Sequence, residues 1–108
     1  KLTEIKPFLF SNLTSLRTLI LSSNQIKTIE INSFFGMTNL RVLYLSENQL
    51  KDLKPFTFSH LIYLEELSLD YNNIKTIQKD LFKGLTYSLK KAIYICQFDK
   101  FRKAQPKS

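Results

Sequence analysis

In the run Leu40-Arg41-Val42-Leu43-Tyr44-Leu45-Ser46-Glu47-Asn48-Gln49-Leu50, Leu43 and Leu45 alternate with Tyr44. That period of two marks a short, half-buried strand with both leucines inward and Tyr44 outward. Asn48 follows where such a strand has to bend. Its side chain has both donors and an acceptor, so it can satisfy backbone groups inside a tight turn. Leu50, Leu53, Phe58 and Leu61 then return the chain along the other side. Pro55 lies on that return, as Pro7 does at the equivalent place upstream. Their missing N–H groups argue against a long helix and leave short 3₁₀ or irregular turns.

The run recurs at a step of 24 residues. Leu16, Leu40 and Leu64 align, as do Leu19, Leu43, Leu67 and Leu21, Leu45, Leu69. Asn24, Asn48 and Asn72 follow, then Ile26, Leu50, Ile74 and Ile29, Leu53, Ile77. Phe34, Phe58, Phe82 and Met37, Leu61, Leu85 close the unit. Eight positions therefore hold over three copies without a gap. Residues 1–15 read as the back half of a further unit, since Leu2, Ile5, Phe10 and Leu13 match Ile26, Ile29, Phe34 and Met37. The organisation is one domain over 1–108: a partial repeat 1–15, repeats 16–39, 40–63 and 64–87, and a degenerate terminal repeat 88–108.

One unit cannot bury its own apolar edge. Stacking units sets strand beside strand at about 4.8 Å and makes one continuous core. The expected architecture is an α/β-type, mostly β solenoid, a right-handed superhelix. Its concave side is a parallel sheet with strands near residues 18–22, 42–46 and 66–70. Its convex side is made of short turns. Asn24, Asn48 and Asn72 form a structural ladder in the bends. Residue 1 enters mid-repeat, so the strand at Leu16 is expected to show an apolar edge, as in a piece of a longer solenoid.

LRTLILSSNQI, LRVLYLSENQL and LEELSLDYNNI resemble the leucine-rich-repeat family, whose motif is LxxLxLxxNxL. The resemblance covers about residues 1–87. The repeat length and the phenylalanine on the return resemble the extracellular "typical" subclass, found in Toll-like receptors, matrix proteoglycans and hormone-receptor ectodomains. What the resemblance implies is a receptor ectodomain or secreted protein, hence an extracellular glycoprotein. Members of that subclass usually carry cysteine-rich caps, and this chain has one cysteine, Cys96. The sequon Asn12-Leu13-Thr14 would accept a glycan at Asn12 in such a compartment.

The fourth copy slips. A strict 24-residue step puts Lys91 at the second leucine position, Ile93 at the third and Cys96 at the asparagine. A frame starting at Leu89 puts Ala92 and Tyr94 there instead. A one-residue bulge near Leu89, with the strict frame resuming by Ile93, reconciles the two and makes Cys96 structural.

Charge divides the chain. Of the net +7, residues 83–108 hold +6 (seven Lys/Arg against Asp99) and residues 1–82 only +1. A basic end of this kind can attract a polyanion. No apolar run of about 18 residues exists, so no membrane segment is expected in this chain. Metal or catalytic chemistry has little to build on. His60 is alone and aligns with the turn formers Asn12 and Gly36. Glu65, Glu66 and Asp70 should lie on an open, solvated face where nothing perturbs a carboxylate. No phosphate loop or nucleophile motif occurs, and neither enzyme, cofactor nor nucleic-acid partner is expected.

The variable positions of the strands form the candidate binding face. Ile20, Val42, Tyr44, Glu66, Asp70 and Tyr71 place apolar and aromatic groups among charges, the make-up of a protein-binding surface. The expected function is non-enzymatic recognition of a protein or peptide on the concave face. The alternative is a scaffold whose basic C-terminal segment binds a polyanion such as heparan sulfate, a sulfated glycan.

Overall fold

The computed structural model describes residues 2–77, 80–82, 85, 92–94 and 103–104. Its strands are short: β1 (Glu4–Ile5), β2 (Thr18–Ile20), β3 (Thr28–Ile29), β4 (Val42–Tyr44), β5 (Glu66–Ser68), β6 (Ala92–Tyr94) and β7 (Lys103–Ala104). The main sheet runs β2-β4-β5-β6-β7, and β1 pairs with β3 in a second, two-stranded sheet. All pairs are parallel except β6 with β7. Thr18 faces Val42 and Val42 faces Glu66, so the register is the 24-residue repeat itself. This is the solenoid expected from the spacing.

Backbone pairing outlasts the three-residue strands. Leu21 N donates to Tyr44 O at 2.8 Å and Ser23 N to Ser46 O at 3.1 Å. Leu45 N and Glu47 N donate likewise to Ser68 O and Asp70 O. The ladder ends where Ser23, Glu47 and Tyr71 take left-handed φ angles of 60°, 57° and 58° and turn each strand into its asparagine.

The terminal copy keeps neither frame read from the sequence. Leu67 faces Ile93, where a 24-residue step would bring Lys91. The pairing has slipped by two residues, which sets an isoleucine rather than a lysine beside a fully buried leucine. Ile93 thus holds the second leucine position and not the third. β7 then folds back antiparallel on β6, which the repeat pattern did not foretell. Cys96 lies outside the described residues.

Burial follows the repeat. Leu40, Leu43, Leu45, Leu64, Leu67 and Leu69 are fully buried, whereas Leu16, Leu19 and Leu21 of the first strand are only half-buried. β2 borders the sheet, so one flank of its leucines meets no neighbouring strand. Behind the leucines the phenylalanines stack: Phe10 on Phe34 at 6.0 Å, Phe34 on Phe58 at 5.9 Å and Phe58 on Phe82 at 6.4 Å. Near-parallel offset rings fill the space between turns that carry no regular structure. Ile77 departs from the pattern: Ile29 and Leu53 are buried, but Ile77 is 43% exposed.

The returns are overlapping turns and not 3₁₀ helices. Ser11 N bonds Phe8 O and Leu13 N bonds Phe10 O, each three residues back, and the next repeats copy the pattern. No helix occurs among the described residues. Each return passes through a left-handed residue, Phe8 (φ 61°), Asn32 (φ 72°) or Phe56 (φ 66°). Asparagine tolerates that conformation, whereas phenylalanine pays for its Cβ there. Phe56→Asn is therefore expected to stabilise the fold by on the order of 1 kcal/mol, read as a rise in the urea midpoint. A lower midpoint would mean that the Phe56 ring packs better than its 45% exposure indicates.

Candidate functional site

The asparagines come first, because they fix the strand ends. Asn48 Nδ2 donates to Leu45 O in its own repeat and to Leu21 O in the preceding one, both at 3.0 Å. Its Oδ1 accepts from Ile26 N at 3.0 Å. Asn72 repeats the set with Leu69 O, Leu45 O and Leu50 N. Asn24 keeps Leu21 O and Leu2 N but is half-buried, since no strand precedes β2 in the sheet. Each side chain clamps two neighbouring coils, so the strand ends cannot splay independently.

On this frame the concave face is assembled in register. Ile20 faces Tyr44, and Tyr44 faces Ser68. Ile20 is 63% exposed and Tyr71 42%, while Val42, Tyr44, Glu66 and Asp70 are half-buried. Tyr44 Oη donates to Glu66 Oε2 at 3.1 Å, which fixes the ring across two strands. Arg41 pairs with Glu65 at 3.1 Å, and Ser22 bonds Ser46 through their hydroxyls at 3.0 Å. Ser68 Oγ is buried beside Tyr44 and has no hydrogen-bond partner among the described residues. The strand and turn positions of this face carry Arg17 and Arg41 against Glu47, Glu65, Glu66 and Asp70, so the face is net acidic.

Of the acidic trio of the third repeat, Glu65 is thus held by Arg41 and Glu66 by the Tyr44 hydroxyl, rather than set up as an acid–base pair. His60 is not a bare turn residue. Its Nε2 lies 3.0 Å from Asn32 Oδ1 and its ring stands edge-on to Phe35 at 5.3 Å. Among the described residues no group of three or more His, Cys, Asp or Glu could hold a metal ion. Among the described residues there is no helix long and apolar enough to cross a membrane. Asn12 is exposed on the return. The basic segment 83–108 lies almost wholly outside the described side chains.

Sequence reasoning overlooked the convex side. Phe8, Leu9, Ile31, Phe35, Phe56 and Ile62 are each between 45% and 52% exposed. The signal was present: Phe8 and Phe56 occupy the place that Asn32 and Asp80 fill in the other copies.

The leucine rich repeat family matches residues 1–50 and again 38–87. A solved TLR13–ssRNA13 complex is similar to this chain at 38% identity and a TM-score of 0.78. The match covers 86% of this chain and 14% of that one. Comparison with curated proteins finds no match. With the 24-residue register, the asparagine ladder and the two family matches in hand, the chain belongs to the leucine-rich-repeat family.

Proposed function

We propose that this chain is a non-enzymatic recognition module of a receptor ectodomain or secreted protein, binding a protein or peptide on its concave face. The observation that carries the reading is the row Ile20–Tyr44–Ser68. An aliphatic side chain 63% in solvent, a tyrosine ring tethered by Glu66 and a buried serine hydroxyl with no partner among the described residues lie side by side on adjacent strands. Tyr71 adds a second ring, held exposed at a left-handed φ that favours asparagine or glycine over an aromatic. Preorganised aromatics ringed by charge suit a peptide. The net acidic charge of the face opposes a polyanion there. TLR13 is solved with RNA, but this chain spans 14% of that protein's length, so the RNA is not carried over. Extracellular placement and a glycan on Asn12 belong to the same proposal.

Displayed peptides selected on the whole chain test it. Binders should lose at least ~10-fold in affinity for Ile20→Asp, which sets a charge at the contact, and little for substitutions of the basic C-terminal lysines. Retention by Ile20→Asp with loss on reversing Lys90, Lys91, Lys100 and Lys103 would overturn the reading.

A further inference from the structure

Past each asparagine turn, on the flank that follows the concave strands, one exposed position carries the same residue in all three full repeats: Lys27, Lys51 and Lys75. Every other position identical in the three copies is a core leucine, a core phenylalanine or the turn asparagine. The fold explains those. It does not explain an exposed lysine, because any soluble side chain would serve at a solvated position.

The row is rigidly mounted. Lys27 N donates to Thr3 O at 2.8 Å, Gln49 N to Ile26 O at 2.9 Å and Asn73 N to Leu50 O at 2.8 Å, so successive coils are locked at this flank. The paired strands β1 and β3 continue it. Two open grooves of about 570 and 540 Å³ adjoin here and share Lys27, Thr28 and Gln49. Gln25 opens the first, and Lys51, Asn73 and Lys75 continue the second, so ammonium groups alternate with side-chain amides.

Among the described residues the three lysines also form no ion pair. Among the described cations, Lys6 pairs with Glu4, Lys54 with Glu30 and Arg41 with Glu65. Lys27, Lys51 and Lys75 form no ion pair within that set, although Asp52 and Glu4 line the same grooves. Cations held about one coil spacing apart, three lysines against the single Asp52 in the second groove, match a linear polyanion.

We propose that Lys27, Lys51 and Lys75, with Gln25, Gln49 and Asn73 between them, form a binding row for a sulfated polysaccharide. The amides and threonine hydroxyls can bond sugar hydroxyls, and lysine meets a sulfate as a point charge. Single-stranded nucleic acid is disfavoured because binding it relies on aromatic platforms for the bases, and no aromatic side chain lines either groove. The row is separate from the concave face, so its ligand and the peptide could be held together.

The test titrates the whole chain with a heparin-derived sulfated oligosaccharide, over a range of salt concentrations. Lys27→Gln/Lys51→Gln/Lys75→Gln should lower affinity at least ~10-fold at low salt, and the slope of log K against log salt should shrink by roughly two to three. Lys6→Gln/Lys54→Gln, which removes equal charge per site from paired lysines, should change affinity less than threefold, or about twofold. Circular dichroism should be unchanged in both, since all these side chains are exposed. Three results would overturn the proposal. One is wild-type affinity and slope in the triple variant. Another is loss only when Lys90, Lys91, Lys100 and Lys103 are reversed. The third is tighter binding of a single-stranded oligonucleotide of equal charge. Selected peptides should still bind the triple variant, so failure here leaves the concave reading separately testable.

Discussion

Replacing Asn48 by alanine is expected to destabilise the chain by about 2–3 kcal/mol, seen as a lower urea midpoint. Ile26 N loses its acceptor and is left buried without a partner, the costliest consequence. Leu21 O and Leu45 O suffer less, because Asn24 and Asn72 still donate to them. Asn24→Ala should cost markedly less, since Asn24 is half-buried and water can reach the amide of Leu2 that it serves. The order Asn48 above Asn24 is the informative result. Equal losses would mean that the side chains act only within their own turns, through Leu21 O and Leu45 O, and that the coil-to-coil bonds contribute nothing.

That ladder was legible because its cause is periodic. An asparagine at a fixed step from two alternating leucines has one geometry available once strands stack, and Thr18, Val42 and Glu66 fell into the register that the spacing implied. The end of the sheet was not legible in the same way. In the fourth copy Ile93, and not Lys91 at the 24-residue step, pairs with Leu67. Only the partner strand decides such a register, and single-chain periodicity does not contain it. The antiparallel β7 is a long-range pairing with no repeat to announce it.

The candidate face divides along the same line. Which residues share it follows from strand alternation, so Ile20, Val42, Tyr44 and Glu66 could be named from spacing alone. What they do to one another could not. The tether from Tyr44 to Glu66, the pairing of Arg41 with Glu65 and the burial of Ser68 Oγ depend on rotamers and cross-strand distance. The lysine row shows the reverse case. Its spacing was visible in the sequence, but net charge counted by segment gave residues 1–82 only +1 and concealed it. Charge matters through placement, and a paired lysine such as Lys54 counts differently from one such as Lys51 that forms no ion pair among the described residues.

Tyr44→Ala is expected to weaken binding of a concave-face peptide by at least ~2 kcal/mol, about 30-fold in Kd. Tyr44 sits on the middle strand of the three full repeats, between Ile20 and Ser68. A large ring with a polar tip offers more contact area for less lost freedom than any aliphatic side chain there. Its Oη is already bonded to Glu66 at 3.1 Å, so part of the entropy of fixing the ring has been spent before a partner arrives. Folding should be little affected, because the ring is half-buried on the outer face of β4 while Leu43 and Leu45 fill the core. Tyr44→Phe separates the two contributions. It keeps the ring and frees Glu66, so it should cost much less than alanine if the ring is the anchor. If phenylalanine instead costs as much as alanine, the tether to Glu66 governs affinity and the partner reads the carboxylate. If neither variant changes affinity while salt erases it, binding does not run through the concave face, and the basic surfaces carry the function instead.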